Sequence, residues 1–327
     1  MYTSLEIKGF RCFKHLSIPK LARLNLIGGK NNTGKTALLE GVRVLGGVAW
    51  DPAAVLGDLY YPRGFGEGEV AALGASALAA SLPEGAPIAF AGQASPVGWP
   101  ASVTLSRTPG GPWDLGIEVD GHLHAAVQFG PLMGHHEEEA PGCRIILVPS
   151  RDRFTKARMS RLFGGLQKRR KTDLVLNALK RLEPAVEAVQ MIMIGDEPVL
   201  HLDLGGPELL PAPLVGEGMN RVCEIVLAEV AAARGILLVD EIENGLHYSV
   251  MADVWRTVAD TAVDLDVQVF ATTHSHECVE AAYAATEGMP EDTFLYHRLD
   301  RVGDDIECQT YSPRGLEIAL QTGNEVR

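Results

Sequence analysis

Residues 24–45 read LNLIGGKNNTGKTALLEGVRVL, and the run from Gly29 to Thr36 completes the spacing G-x-x-x-x-G-K-T. A phosphate cradle needs glycines, so that successive backbone N–H groups turn inward without a Cβ clash, and it needs a helix N-terminus aimed at the anion. Gly29 and Gly34 answer the first need. Lys35 offers a point charge for β- and γ-phosphates, and the Thr36 hydroxyl is suited to ligating magnesium. Asn31, Asn32 and Thr33 fill the loop between the glycines.

Working outward, the apolar runs SLEIKGFRCF and ARLNLIGG precede the loop, and TALLEGVRVLGG follows with helix-compatible spacing closed by glycines. The order is strand, loop, helix. Residues 50–142 change character: they are rich in Ala, Gly and Pro, and PASVTLSRT, WDLGIEVDG and HLHAAVQFG read as antiparallel strands. GHHEEEAPG reads as an exposed loop. CRIILVPS is a buried strand, and residues 151–171 then form a basic run holding a single acid, Asp152. A helical arm is expected over KTDLVLNALKRLEPAVEAV, a hairpin over MIMIGDEPVLHLDLGG, and a helix from GMNRVCEIV to Gly235. Beyond it, YSVMADVWRTVADTAVDL and HECVEAAYAATEG have helical spacing, and the chain closes with two strands, TFLYHRL and DIECQTY, and a helix, PRGLEIALQTG.

Two further stretches carry chemistry. ILLVDE is a continuous apolar run that places Asp240 at the C-terminal end of a strand, where ligand sites of open parallel sheets lie. Asp240 suits a magnesium ligand acting through water, and Glu241, one step on, suits orienting or deprotonating an attacking water. A solvated strand end is the plain alternative; the phosphate loop favours the chemical one. VFATTHS ends a second buried strand at His274, which could sense the γ-phosphate or serve only structure, as could His276.

Composition bounds the rest. At 327 residues, 46% apolar and 22% charged, the chain is long enough for two units or for one large α/β domain with an insertion. The N-terminus lacks a basic segment followed by an apolar core, and no apolar stretch reaches the roughly eighteen residues of a membrane span, so a cytoplasmic protein without membrane contact is expected. Cys12, Cys143, Cys223, Cys278 and Cys308 have no paired spacing, which argues against zinc and against a disulfide framework. A net charge of −13 disfavours coating nucleic acid with the whole surface but leaves DNA contact open through residues 151–171. A solvated helix face or an acidic partner would also account for that run.

The order of these parts, with the opening GFRCF, Asn31 in the loop, LVGEGMNRV, DEIENGLH and TTHS, resembles the ABC-type ATPase heads of the structural-maintenance-of-chromosomes (SMC) group. It is most similar to bacterial AAA15/AAA21-like ATPases related to the overcoming-lysogenization-defect nucleases. The likeness covers residues 1–49 and about 205–311. It implies a single α/β P-loop NTPase domain over 1–327 with a mixed β-sheet, a β-rich insertion and a helical subdomain. Its sections are an N-terminal lobe over 1–49, a β-rich section over 50–150, a helical subdomain with the signature loop over 151–235, and the metal-site strand, switch histidine and last strands over 236–327. ATP and Mg2+ are the implied cofactors. Lys35 and Thr36 bind them, Asp240 completes the metal site, Glu241 catalyses and His274 is the switch. Residues 215–218, VGEG, resemble the signature loop that packs against the γ-phosphate of a second subunit, with Gly216 and Gly218 approaching the anion. Gly216 replaces the serine of that pattern, so a hydroxyl donor is gone.

Asn244 and His247 suit either a contact between two heads or the cap of the next helix. Arg11 fits an exposed strand-end arginine better than a phosphate ligand, and Gln128 and Gln167 are the candidates for a glutamine linking the metal site to a partner. The resemblance points to a self-associating, magnesium-dependent ATPase switch of an antiviral defence system. Related nucleases carry a further metal-dependent domain, and no acidic cluster follows His274, so a separate nuclease or toxin is the expected effector. A DNA-repair ATPase is the alternative, and a transporter subunit fits less well.

Overall fold

Three fully buried strands form the middle of the computed structural model, which describes residues 1–47, 87–94, 99–107, 114–128, 145–150 and 154–322. They are β3 (Leu24–Gly29), β12 (Ile236–Val239) and β13 (Gln268–Thr272). Strands covered on both faces read as largely apolar runs, and these do; their buried polar side chains are Asn25 in β3 and Gln268 and Thr272 at the ends of β13. With β8 (Ile145–Val148), β14 (Phe294–Val302) and β15 (Asp305–Tyr311) they make a mixed sheet in the order β15-β14-β3-β13-β12-β8. All its pairings are parallel except β14 with β15.

Side chains alternate between two cores across this sheet. Leu237, Val239, Val269 and Ala271 face one, together with the helices α5 (Glu217–Ala231), α6 (Tyr248–Leu265) and α7 (His276–Thr286). Ile236, Leu238 and Phe270 face the other, against α1 (Lys35–Gly47) and an antiparallel sheet. That second sheet runs β2-β1-β4-β5-β6-β7 and joins β1 (Leu5–Phe10) and β2 (Phe13–Ile18) to β4 (Ile88–Ala91), β5 (Ser102–Arg107), β6 (Asp114–Val119) and β7 (His122–Gln128). The β-rich section therefore extends a sheet that the N-terminal hairpin begins.

Three expectations change. SLEIKGFRCF is not one run: it turns at Arg11, whose φ of 56° lies in the left-handed region, and continues as β2. The helical arm is shorter than read. After α2 (Lys156–Lys168), α3 (Thr172–Leu182) stops where Glu183 precedes Pro184, a position at which the proline ring disfavours helical backbone, and Glu183 is accordingly extended. Residues from Ala188 onward instead form β9 (Ala188–Ile194), which pairs with β10 (Glu197–Asp203) and, through it, β11 (Leu210–Pro211). A short α4 (Ala212–Val215) then precedes α5, which ends at Ala231, ahead of the expected Gly235. The last helix, α8 (Pro313–Gln321), is capped by Ser312, whose side chain accepts from Gly315 N–H. The loop read over GHHEEEAPG, together with Cys143, Arg151 and Arg153, lies outside the described residues.

Candidate functional site

The phosphate loop follows β3, Ser150 follows β8, Asp240 follows β12 and His274 follows β13. Because these strands are parallel neighbours, four C-terminal ends converge on one rim, where open α/β sheets bind ligands.

Within the loop, Gly29 has φ 137° and lies so close to the Leu299 carbonyl that no Cβ fits, while a Cβ on Gly34 would stand 2.5 Å from Cys12 Sγ. Both glycines are therefore required by neighbours as well as by backbone shape. Thr33 is buried and its hydroxyl donates to the Lys30 carbonyl at 2.9 Å; Asn31 and Asn32 are exposed, Asn32 with φ 63°. Lys35 opens α1, and its ammonium donates to the carbonyls of Gly29 at 2.6 Å and Lys30 at 2.8 Å. Burial pulls its pKa down to about 8, against the opposing charges of Asp240, Glu241 and Glu243.

Asp240 gathers hydroxyls. The Thr36 hydroxyl donates to its two oxygens at 3.2 and 3.3 Å, Ser150 at 3.1 Å and Thr272 at 2.7 Å. One carboxylate with surrounding hydroxyls is an all-oxygen set, which suits a hard cation that keeps waters and shares phosphate oxygens, as Mg2+ does. Among the described residues no group of three or more His, Cys, Asp and Glu is arranged to hold a metal ion, so a cation here would rely on the nucleotide for ligands.

Glu241 sits in the left-handed region with φ 47°, a strained conformation costing about 1–3 kcal/mol for a residue with a side chain. Its N–H is held by Thr272 Oγ1 at 2.8 Å. The turn delivers its carboxylate to His274, Oε1 to Nε2 at 3.1 Å. The backbone N–H of His274 donates in turn to Glu243 Oε1 at 2.7 Å. Thus Lys35, Thr36, Asp240, Glu241 and His274 stand together.

Gly216 and Gly218 belong to a separate element, the start of α5. Gly216 has φ 149°, and a Cβ on Gly218 would stand 3.4 Å from the Gly245 carbonyl, which places the glycine turn against the loop after Glu241. Arg221, fully buried one turn on, donates to the Asp240 carbonyl at 3.1 Å and to Pro149 at 2.8 Å. His247 caps α6 by accepting from Ser249 N–H, and Asn244 donates to the Ser150 carbonyl at 2.6 Å. Arg11 is not the exposed strand-end arginine expected: its Nε bonds Glu40 of α1 at 3.0 Å, since the turn folds it back over the Phe10 ring. Gln167 lies exposed near the end of α2, and Gln128 ends the edge strand β7. The side chain that joins Thr36 and Thr272 on Asp240 is Ser150. Sequence reasoning missed Ser150, Thr272, Glu243 and Arg221. A hydroxyl at or within two residues of a strand's C-terminal end was the available signal for the first two.

In the basic run, Lys156 pairs with Glu197, and Arg158 donates to the Leu147 carbonyl and lies over the Phe154 ring. Lys168, Arg170 and Lys171 are exposed. Four cysteines among the described residues are free, and no described helix is long and apolar enough to cross a membrane.

A family model described as "AAA domain, putative AbiEii toxin, Type IV TA system" matches residues 138–280, and one described as "AAA domain" matches residues 4–47. An ATP/GTP phosphatase of Helicobacter pylori is 29% identical over 139 residues, 41% of this chain and 37% of that protein, so the match spans little more than a third of the relative. Among solved structures, an SMC head bound to the C-winged helix domain of ScpA has a TM-score of 0.58 at 13% identity, covering 98% of this chain and 99% of that one. The SMC head domain of Thermotoga maritima has a TM-score of 0.52 at 14% identity, covering 95% and 98%. A Pyrococcus furiosus SMC head with an extended coiled coil has a TM-score of 0.54 at 12% identity, covering 100% and 99%. The fold is that of an SMC-type P-loop ATPase head.

Proposed function

We propose that the chain is a cytoplasmic, magnesium-dependent ATPase of the AAA15/AAA21-like group that self-associates on ATP and switches a separate effector in an antiviral defence system. The observation that carries the chemistry is the Glu241 carboxylate held 3.1 Å from His274, beside the Thr36–Asp240 pair. In phosphoryl transfer, catalysis is mostly positioning and charge stabilisation. Lys35 exchanges the carbonyls of Gly29 and Lys30 for phosphate oxygens, and the loop N–H groups with the start of α1 hold the rest of the triphosphate. Thr36 and Asp240 would hold Mg2+, which would supply positive charge to offset that of the phosphate oxygens. Glu241 orients the attacking water and accepts its proton, with His274 fixing the carboxylate's direction.

The defence role draws support from the family description that names an AbiEii toxin and a type IV toxin–antitoxin system. Direct DNA binding in repair is the second reading, favoured by the exposed cations Lys168, Arg170 and Lys171. The test of the chemistry is phosphate release from MgATP. Glu241→Gln should lose about a hundredfold or more in turnover, the usual worth of a general base, while still binding ATP. Wild-type protein that releases no phosphate at high concentration with magnesium, or a Glu241→Gln protein that turns over normally, would refute it.

A further inference from the structure

Strand β14 runs parallel to β3 from Phe294 opposite Leu24 to Leu299 opposite Gly29. The chain beyond Leu299 is thereby delivered to the rim of the phosphate loop. There the Arg301 guanidinium donates through Nη2 to the backbone oxygen of Asn32 at 2.9 Å, across 269 positions of sequence. Asn32 is exposed and left-handed at φ 63°, so the loop at this point adopts a conformation that a residue with a side chain seldom takes unaided. In a trans peptide the C=O and N–H of one unit point in opposite directions. An Asn32 oxygen held toward Arg301 therefore turns the Thr33 N–H the other way.

We propose that Arg301 is a positioning residue for the triphosphate: by holding the Asn32 carbonyl outward, it aims the Thr33 N–H into the phosphate cradle before the nucleotide arrives. The inference rests on the reading that this loop binds ATP, and it makes the C-terminal hairpin β14–β15 part of the nucleotide site. Arg301 is itself exposed, as are Val302, Gly303 and Asp304 after it, so its removal leaves both cores untouched.

The experiment compares wild type, Arg301→Ala and Arg301→Lys by calorimetric titration with ATP and by steady-state hydrolysis, with thermal melts of the nucleotide-free proteins alongside. Losing a charged donor to the carbonyl should weaken ATP binding and raise KM by about tenfold in Arg301→Ala. Its kcat should move less than twofold and its melting temperature should stay at the wild-type value. Arg301→Lys should recover most of the affinity, because one N–H donor to one carbonyl is all the contact requires. Equal ATP affinity in wild type and Arg301→Ala overturns the proposal, and so does a loss accompanied by a matching fall in kcat and melting temperature. Wild type that binds no ATP would instead refute the reading beneath it, and this inference with it.

Discussion

Lys35 is the residue where burial and charge conflict most openly. Its pKa of about 8 means that the folded protein releases this proton well before the unfolded chain does at the ordinary 10.5. Burying the ammonium therefore costs stability below pH 8, and the cost is relieved as pH rises from about 8 toward 10.5. Nucleotide binding has the opposite sign, since phosphate oxygens need the ammonium. ATP affinity should be flat between pH 7 and 8 and then weaken by up to about tenfold per pH unit. Titration with a fluorescent ATP analogue from pH 7 to 9.5 checks this; constant affinity across that range contradicts it. The same residue marks the limit of local reading. That Lys35 belongs to a phosphate loop is written in its neighbours, whereas its carboxylate company comes from Asp240, Glu241 and Glu243, all distant in sequence.

At the scale of the element, α5 does the most varied work. Its glycine start faces the loop after Glu241, and Arg221 ties it to the Asp240 carbonyl. Glu224 pairs with Arg221 at 3.3 Å and accepts the Phe154 N–H at 3.2 Å, joining the helix to the segment that leads into α2. Farther on, Glu229 is fully buried with neither carboxyl oxygen hydrogen-bonded among the described residues, and burial holds its pKa well above 4.5, only partly offset by Arg181. A raised carboxyl pKa gives stability that is present below 4.5 and lost as pH climbs through the folded value. Glu229→Met, apolar and of similar length, should raise the melting temperature at pH 8, with a smaller gain at pH 5. A lower melting temperature at pH 8 would contradict the assignment. The apolar periodicity of α5 was legible in GMNRVCEIVLAEVAAARG, but Arg221 and Glu229 were not, because the same pattern accommodates a charged residue facing water. Tertiary packing turns those positions inward, Arg221 toward the carbonyls of Pro149 and Asp240 and Glu229 toward the side of α3 that carries Arg181.

For the whole molecule, the question is whether two copies close over ATP. Leu214, two residues before Gly216, is 76% exposed, and Tyr248 is 71% exposed just after the loop that Gly218 touches. On the proposed reading, in which the Gly216 and Gly218 turn meets the phosphate held by a second copy, these exposed apolar side chains favour that association. In the Glu241→Gln background with ATP and magnesium, light scattering should show the mass of a dimer. Leu214→Asp should keep the protein monomeric while each copy still binds ATP. Dimerisation that ignores both ATP and Leu214→Asp would place the contact elsewhere.

The amino-acid order alone determined the phosphate loop, the strand that leads into Asp240 and Glu241, and the strand that leads into His274, because each is a local pattern of glycines, apolar runs and the polar residues that follow them. The three-dimensional fold decided which ends meet. Thr272 and Ser150 reach Asp240 across 32 and 90 positions, and Arg301 reaches Asn32 across 269. Those meetings follow from the lateral order β14-β3-β13-β12-β8. A strand's neighbours are selected by the joint burial of two cores, and that cooperative choice leaves no periodic trace along the chain.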